Sequence, residues 1–243
     1  MANEKRRSLY GRVVVKLSGE ALTGPEKFGL HAPTLARIAA DCVAAARQGD
    51  TEIAIVVGGG NFFRGMQGAD KGIERARADS IGMLATIMNA LAIEAAIEAA
   101  DHPARALSAI PMPALCQPYS RQAALHHLDK GRICVLAGGT GNPFFTTDTG
   151  AVLRGAELSC GAVLKATQVD GVYDADPKRD PNAKRFERLT HSQAIQQNLE
   201  VMDTAAFALA RENRIPIVVF SIAEPQAILQ AVAGEGRFTL VTP

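Results

Sequence analysis

Lys16 and Lys165 each stand at the end of a short apolar run of β-forming residues, Val13-Val14-Val15 and Ala162-Val163-Leu164. Lys16 leads directly into Leu17-Ser18-Gly19. Two further glycine turns follow apolar runs: Gly58-Gly59-Gly60-Asn61 after Ile53 to Val57, and Gly138-Gly139-Thr140-Gly141-Asn142 after Val135 to Ala137. Glycine lets the backbone come close to a bulky anion, and strand-end loops are where open α/β sheets bind ligands. Three such turns in one chain suggest more than one phosphorylated group. Two ammonium groups beside them suit phosphoryl transfer, where catalysis is mostly positioning plus neutralisation of charge spreading over the transferred group. A single strand-end lysine reads as an ordinary exposed cation, but two beside glycine turns form a candidate clamp that grips one polyphosphate from opposite sides. Asp148, after Thr146-Thr147, opens a helix. It reads as a simple N-cap or as the carboxylate that orients the lysines and a magnesium ion, and the two roles are compatible.

Several other chemistries have no motif here. There is no Gly-x-x-x-x-Gly-Lys-Ser/Thr loop, no Gly-x-Gly-x-x-Gly opening a helix, and no Gly-x-Ser-x-Gly elbow. The five histidines, His31, His102, His126, His127 and His191, all lie outside the glycine and lysine motifs and read as surface or structural residues.

The elements that must hold these residues alternate between β-type and helical patterns, the sequence sign of a parallel sheet covered by helices. Strands are predicted near 12–17, 52–57, 105–109, 132–137, 162–166, 215–220 and 237–242. Pro33 and Gly49 bracket one helix, Ser120 and Gly131 another, Thr190 with Gln193 forms a capping box, and Pro225 opens the last helix. The segment from Asp70 to Ala100 is rich in Ala, Ile, Met and Leu at helical spacing and ends before His102-Pro103. Its apolar width exceeds what one core face needs, so a subunit interface is expected there. Residues 168–190, rich in Asp, Pro, Lys and Arg, form the longest irregular stretch, and loops of that length are often functional.

With 243 residues, 47% hydrophobic and 21% charged, the chain can bury a full core and is read as one α/β domain. The net charge of +1 gives no electrostatic case for nucleic acid or a membrane surface, and Lys5-Arg6-Arg7 reads as a solvated tail. Cys42, Cys116, Cys134 and Cys160 are scattered singly, with no metal-ligand spacing, as expected of a reduced cytoplasmic protein. The short run Val13 to Leu17, broken by Lys16, is no signal sequence or span, so no membrane anchor is expected.

Four segments carry a resemblance: Lys16-Leu17-Ser18-Gly19-Glu20-Ala21-Leu22, Gly58-Gly59-Gly60-Asn61-Phe62-Phe63-Arg64-Gly65, Gly139 through Asp148, and Lys165-Ala166-Thr167-Gln168-Val169-Asp170-Gly171-Val172-Tyr173-Asp174-Ala175-Asp176-Pro177. Together they resemble the bacterial uridylate kinases, in the amino-acid-kinase fold superfamily, from about Tyr10 to the C-terminus. The lysine-glycine start and the Val-Asp-Gly-Val-Tyr segment alone would also fit acetylglutamate, carbamate or aspartate kinases. The resemblance implies a three-layer α/β/α sandwich with a mostly parallel central sheet. Residues of about 10–165 would serve mainly UMP and phosphate, and about 166–243 the adenosine.

It further implies that Lys16, Leu17, Ser18, Gly19, Gly60 and Arg64 hold ATP phosphates, with Thr167, Tyr173 and Asp176 around the adenosine. Gly59, Asp79, Thr140, Gly141, Asn142, Pro143, Phe144, Phe145, Thr146 and Thr147 would hold UMP, and Lys16, Lys165 and Asp148 would be catalytic, with Mg2+ arriving with ATP. Hydroxyls and peptide N–H groups suit phosphate, Tyr173 offers a flat face to a base, and Asp79 can accept from ribose hydroxyls. Taken singly, Arg64 reads as a partner of a surface acid, Tyr173 as a core aromatic, Phe144 and Phe145 as loop anchors, and Asp79 as solvent-facing. The expected reaction is direct in-line transfer from ATP to UMP, giving ADP and UDP without a general base. Related enzymes imply a homohexamer activated by GTP and inhibited by UTP. Gly24-Pro25-Glu26-Lys27-Phe28-Gly29 matches a segment associated with GTP, while Glu94 and Glu98 place negative charge where an effector triphosphate would approach, beside Arg105 and Arg132. Asp203 also matches a family position and reads as a helix start. A kinase of the same fold acting on a carboxylate or carbamate, and a nucleotide-sensing protein without catalysis, remain alternatives at this point.

Overall fold

Strict alternation along the buried strands decides which side of the sheet each residue serves. In β1 (Arg12–Leu17), Val13, Val15 and Leu17 pack into one hydrophobic cluster and Val14 into the other, so Lys16 continues the side of Val14. In β6 (Ala162–Thr167), Val163 and therefore Lys165 lie on that same side. The computed structural model describes residues 8–63, 72–177, 179–199 and 201–243.

Seven further strands complete a nine-stranded sheet: β2 (Glu52–Val57), β3 (Ala104–Ser108), β4 (Gln117–Pro118), β5 (Ile133–Ala137), β7 (Arg188–Thr190), β8 (Ile217–Ser221) and β9 (Phe238–Thr242). Their order is β4-β3-β5-β2-β1-β6-β8-β9-β7. Every pairing is parallel except β8 with β9. Helices α1 (Ala32–Gly49), α2 (Arg75–Ala99) and α7 (Ala227–Ala233) cover one face with Ile38, Cys42, Ile93, Ile97, Ile228 and Leu229. Helices α3 (Arg121–Leu128), α4 (Thr147–Glu157), α5 (His191–Gln196) and α6 (Thr204–Glu212) cover the other with Leu128, Val152, Ala194 and Phe207. This is the expected three-layer α/β/α sandwich, with β5, β2, β1 and β6 adjacent at its centre. Their carboxyl ends bring all three glycine turns and both lysines to one edge of the sheet.

All seven predicted strands form. β4 and β7 were not expected: each is two or three residues long, and of their five residues only Leu189 is buried. β7 and an isolated bridge between Tyr173 and Arg185 break up the stretch read as irregular. Helix starts follow their markers: Ser120 accepts from Ala123 N, Thr190 and Gln193 form the capping box, and Asp203 caps α6 by accepting from Ala206 N. At the end of α1 the left-handed residue is Asp50 (φ 52°), while Gly49 stays helical. α7 has no side-chain cap of its own; buried Asp41 of α1 accepts from Ile228 N and Leu229 N instead, tying the helix start to a neighbour. His191 is fully buried and its Nε2 meets the Ile215 carbonyl, a structural role. All four cysteines are free.

α2 is the one helix among the described residues long and apolar enough to cross a membrane by length and composition, which the reading of the N-terminus did not consider. One of its faces packs against the sheet through Ile87, Ala90, Ile93 and Ile97, and also buries the polar groups of Thr86 and Asn89. Ile81, Leu84 and Met88 stand exposed on the other face.

Candidate active site

Lys16 and Lys165 are register partners in the β1/β6 pair, so their side chains rise side by side from the same face of the sheet. Asp148, in the first turn of α4, comes down between them. Its Oδ1 lies 3.0 Å from Lys16 Nζ, and its Oδ2 accepts from Lys165 Nζ at 2.5 Å. Both lysines are nearly buried, with 6% and 8% of their surface exposed. One carboxylate thus faces two ammonium groups in a poorly solvated place, leaving one surplus positive charge aimed at the cavity above.

The electrostatics follow from that excess. Burial, followed by repulsion from Lys16, lowers the Lys165 pKa to about 8, although Asp148 pulls it back up. Burial also works against the Asp148 carboxylate, but Lys16 and Lys165 outweigh it and hold its pKa below the usual range. Asp148 is not the N-cap that its position suggested. Thr146 takes that role, accepting from Asp148 N and Thr149 N, which frees the Asp148 carboxylate for the lysines. The Thr146 and Thr149 hydroxyls both donate to Asp203, so the caps of α4 and α6 are one unit.

Above the lysines opens a cavity of about 630 Å³ lined by Ser18, Thr167, Val172, Tyr173, Asp176, Pro177 and Leu199 among others. Ser18 caps the 3-10 turn Gly19–Leu22, and Thr167 opens the 168–177 loop by donating to Val169 O and accepting from Val169 N. Tyr173 is half-buried at the cavity wall, not in the core, and its hydroxyl donates to Asp170 Oδ1 at 2.5 Å. Asp176 pairs with Arg179 at 3.4 Å. Gly19 is pressed against the second glycine turn: a Cβ there would lie 2.4 Å from Asn61 Oδ1 and 2.8 Å from Gly58 O and Gly60 N, so only glycine fits. Arg64 lies outside the described residues.

A second cleft, about 130 Å³, reaches the second and third glycine turns. It is lined by Gly59, Asp79, Gly138, Thr140, Asn142, Phe145 and Thr147, with others. Gly138, Gly139 and Gly141 hold φ of 77°, 56° and 83°, which a side chain would oppose. Buried Arg154 of α4 fixes this turn by donating to Gly139 O at 3.0 Å while pairing with Glu157. Asp79 does not face solvent; it accepts from Phe144 N and from Arg75, bridging α2 to the loop before α4. Phe144 and Phe145 are 65% and 53% exposed, so they are not loop anchors; Phe144 lies under the Arg75 guanidinium, 5.8 Å from its ring centre. Pro143 and Gly141 complete this loop, half-buried.

The segment Gly24–Phe28 is exposed, and Gly29 N and O bond to Asn61. Glu94 is not free to meet an effector: its Oε1 accepts from Ala106 N and pairs with Arg105 at 3.7 Å. Glu98 is exposed. Sequence reasoning did not single out Thr86, Asn89 or Arg154. Two polar residues three apart within the otherwise apolar stretch 81–93 of the helix were the available signal for the first two.

The first cavity, lined by both lysines, and the second, lined by glycine turns, offer two places for anionic groups. Residues 11–221 match the model of the amino acid kinase family. The uridylate kinase of Azorhizobium caulinodans is 64% identical over 96% of this chain and 98% of its own length. That of Rhodopseudomonas palustris is 59% identical, with coverage of 96% and 98%. Among solved structures, the UMP kinase of Bacillus anthracis superposes with a TM-score of 0.92 at 39% identity, covering 96% of each chain. The UMP kinase of Ureaplasma parvum gives 0.90 at 36%, covering 96% and 98%. With a family model spanning most of its length and relatives this similar end to end, the chain belongs to the amino acid kinase family and, within it, to the uridylate kinases.

Proposed function

We propose that this enzyme transfers the γ-phosphoryl group of ATP directly to the phosphate of UMP, releasing ADP and UDP. The observation that carries the reading is the Lys16–Asp148–Lys165 cluster, in register and nearly buried, with a nucleotide-sized cavity on one side and a glycine-lined cleft on the other. ATP occupies the larger cavity, its phosphates along Lys16 to Gly19, Gly60 and Arg64 and its adenosine by Thr167, Tyr173 and Asp176. UMP occupies the smaller cleft and the loop above it, held by Gly59, Asp79 and Thr140 to Thr147. Residues of about 10–165 thus serve mainly UMP and phosphate, and about 166–243 the adenosine. The acceptor phosphate is already ionised near neutral pH, so no general base is needed.

Asp148 keeps both ammonium groups aimed at one point, where charge builds on the transferred group. Among the described residues no cluster of three or more His, Cys, Asp or Glu could hold a metal ion. A magnesium ion carried by ATP would approach a site whose one buried carboxylate, Asp148, already faces both lysines. That ion would neutralise β- and γ-phosphate oxygens. The direct test is an initial-rate assay of the purified protein with ATP and, in parallel, UMP, CMP, dCMP, AMP, glutamate, aspartate and carbamate. Fast turnover with UMP is expected; preference for a carboxylate or carbamate, or no turnover, contradicts the reading.

The low pKa of Lys165 gives this reading a pH signature. Only the protonated lysine is a cation, so kcat/KM for ATP should fall as pH rises through about 8. Bound triphosphate favours the charged form, so kcat should hold to higher pH. Initial rates between neutrality and alkaline pH, at low and saturating ATP, check both limbs.

We also read the enzyme as a cytoplasmic homo-oligomer, a hexamer by its likeness to related enzymes, with the exposed Ile81-Leu84-Met88 face of α2 in an interface between copies. Met88→Glu should shift the assembly to smaller species in light scattering. GTP as activator and UTP as inhibitor belong to the same reading, with Gly24 to Gly29 as the GTP-linked segment. Because exposed Glu98 still brings negative charge, with Glu94 tied up by Arg105 and Ala106 N, the response to GTP should be weak, which a titration of initial rate with GTP measures.

A further inference from the structure

Asn61 and Asn89 form a closed amide pair beneath the second glycine turn. Asn89, on α2, is fully buried and Asn61 nearly so. Each amide donates to the other's oxygen, at 2.7 and 3.0 Å. The second N–H of each is also used: Asn89 donates to Gly58 O at 2.7 Å, and Asn61 to Gly29 O at 2.9 Å. All four N–H groups have acceptors, so neither side chain can rotate without orphaning a buried group. The Asn61 oxygen is the atom that a Cβ on Gly19 would strike, which locks the first glycine turn against the second. One turn along the same face of α2, Thr86 accepts from Gly138 N at 2.8 Å and donates to Met83 O, so it holds the third turn together with Arg154.

We infer that Asn89, acting through Asn61, is the positioning residue that sets the two lysine-side glycine turns in register, and that Thr86 does the same for the acceptor turn. Asn89 lines neither cavity, and Thr86, although it lines the second cleft, has its hydroxyl committed to Gly138 N and Met83 O; both act by fixing where peptide N–H groups point. The inference rests on the assignment of ATP and UMP given above. It separates two effects that one helix would otherwise blur: losing Asn89 should disturb both nucleotides, and losing Thr86 only the acceptor.

The test is steady-state kinetics on Asn89→Ala and Thr86→Val, varying ATP and UMP separately, with circular dichroism confirming the fold. Asn89→Ala should raise the KM for ATP about tenfold and lower kcat, since a buried carbonyl and a buried amide lose their partners. Thr86→Val should raise the KM for UMP by a similar factor and leave that for ATP within about twofold. A merely structural role would lower the melting temperature of each variant while leaving KM and kcat of the folded protein unchanged, and that outcome overturns the inference. Should Asn89→Ala fail to fold, the wild-type protein decides. With 15N-labelled asparagine, the side-chain amide signals of Asn61 and Asn89 should resist solvent exchange and shift on adding a non-hydrolysable ATP analogue; fast-exchanging, unshifted signals overturn it. A wild-type protein that binds the analogue but does not phosphorylate UMP would contradict the functional reading alone.

Discussion

Lys16→Ala and Lys165→Ala should each lower kcat by about 100-fold or more while the protein stays folded. A cation about 4 Å from a developing negative charge is worth roughly 4 kcal/mol at an effective dielectric near 20. That is roughly a thousandfold in rate at room temperature, and the surviving lysine recovers part of it. Folding should survive because the cluster carries one positive charge too many. Removing either lysine leaves Asp148 with one partner, a neutral pair in place of a buried excess. Rapid-quench measurement of the chemical step, beside thermal melting, separates the two effects. Wild-type turnover in either variant would remove the lysine pair from the mechanism.

Asp148→Asn should cost at least as much, by a different route. The carboxylate is the anion between two nearly buried ammonium groups, so its loss leaves them repelling each other with only the weaker pull of Asp203 on Lys165 to offset it. Breaking such a buried cluster by removing one partner typically destabilises by about 3–5 kcal/mol. The repulsion falls when a lysine loses its proton, and Lys165, already lowered to about 8, is the one that gives way. Without the upward pull of Asp148 its pKa drops further, so the alkaline limb of kcat/KM for ATP should move to lower pH. The sign for stability is the same as for an acid-labile carboxylate: the unfolded chain keeps its lysine protonated to higher pH, so the variant should become more stable as pH rises through the lowered pKa. Turnover should fall about 100-fold at neutral pH, in line with the loss of a preorganised electrostatic element. A variant with an unshifted limb would mean that Asp148 does not set the charge state of the pair.

Most of the frame was legible because it rests on local signals. Apolar runs such as Val13-Val14-Val15 and Ile53 to Val57 are buried on both faces, so they read as central strands, and glycine turns mark their carboxyl ends. What brought Lys16 and Lys165 together is register, and register between strands about 150 residues apart is set by packing that no local pattern contains. The same holds for Asp79, whose partner Phe144 N comes from a loop far along the chain. β4 and β7 lacked a signal because they bury almost nothing, and Asp148 read equally as a cap or as the carboxylate between the lysines because the sequence did not say that Thr146, two residues earlier, takes the cap. Asn89 and Thr86 drew no reading because their meaning is the Gly58 carbonyl and Gly138 N–H that they meet, which come from distant loops. The exposed phenylalanines show the opposite failure, since two adjacent aromatics in a loop suggest burial and here stand in solvent.

The central claim, that two nucleotides meet head to head over the lysine pair, is tested most directly by a bisubstrate ligand. Adenosine and uridine joined through a five-phosphate bridge should bind one per chain in calorimetry, compete with both ATP and UMP, and weaken by about 100-fold or more in the Lys16→Ala/Lys165→Ala double variant. Competition with only one of the two nucleotides, or equal affinity in the double variant, would contradict it.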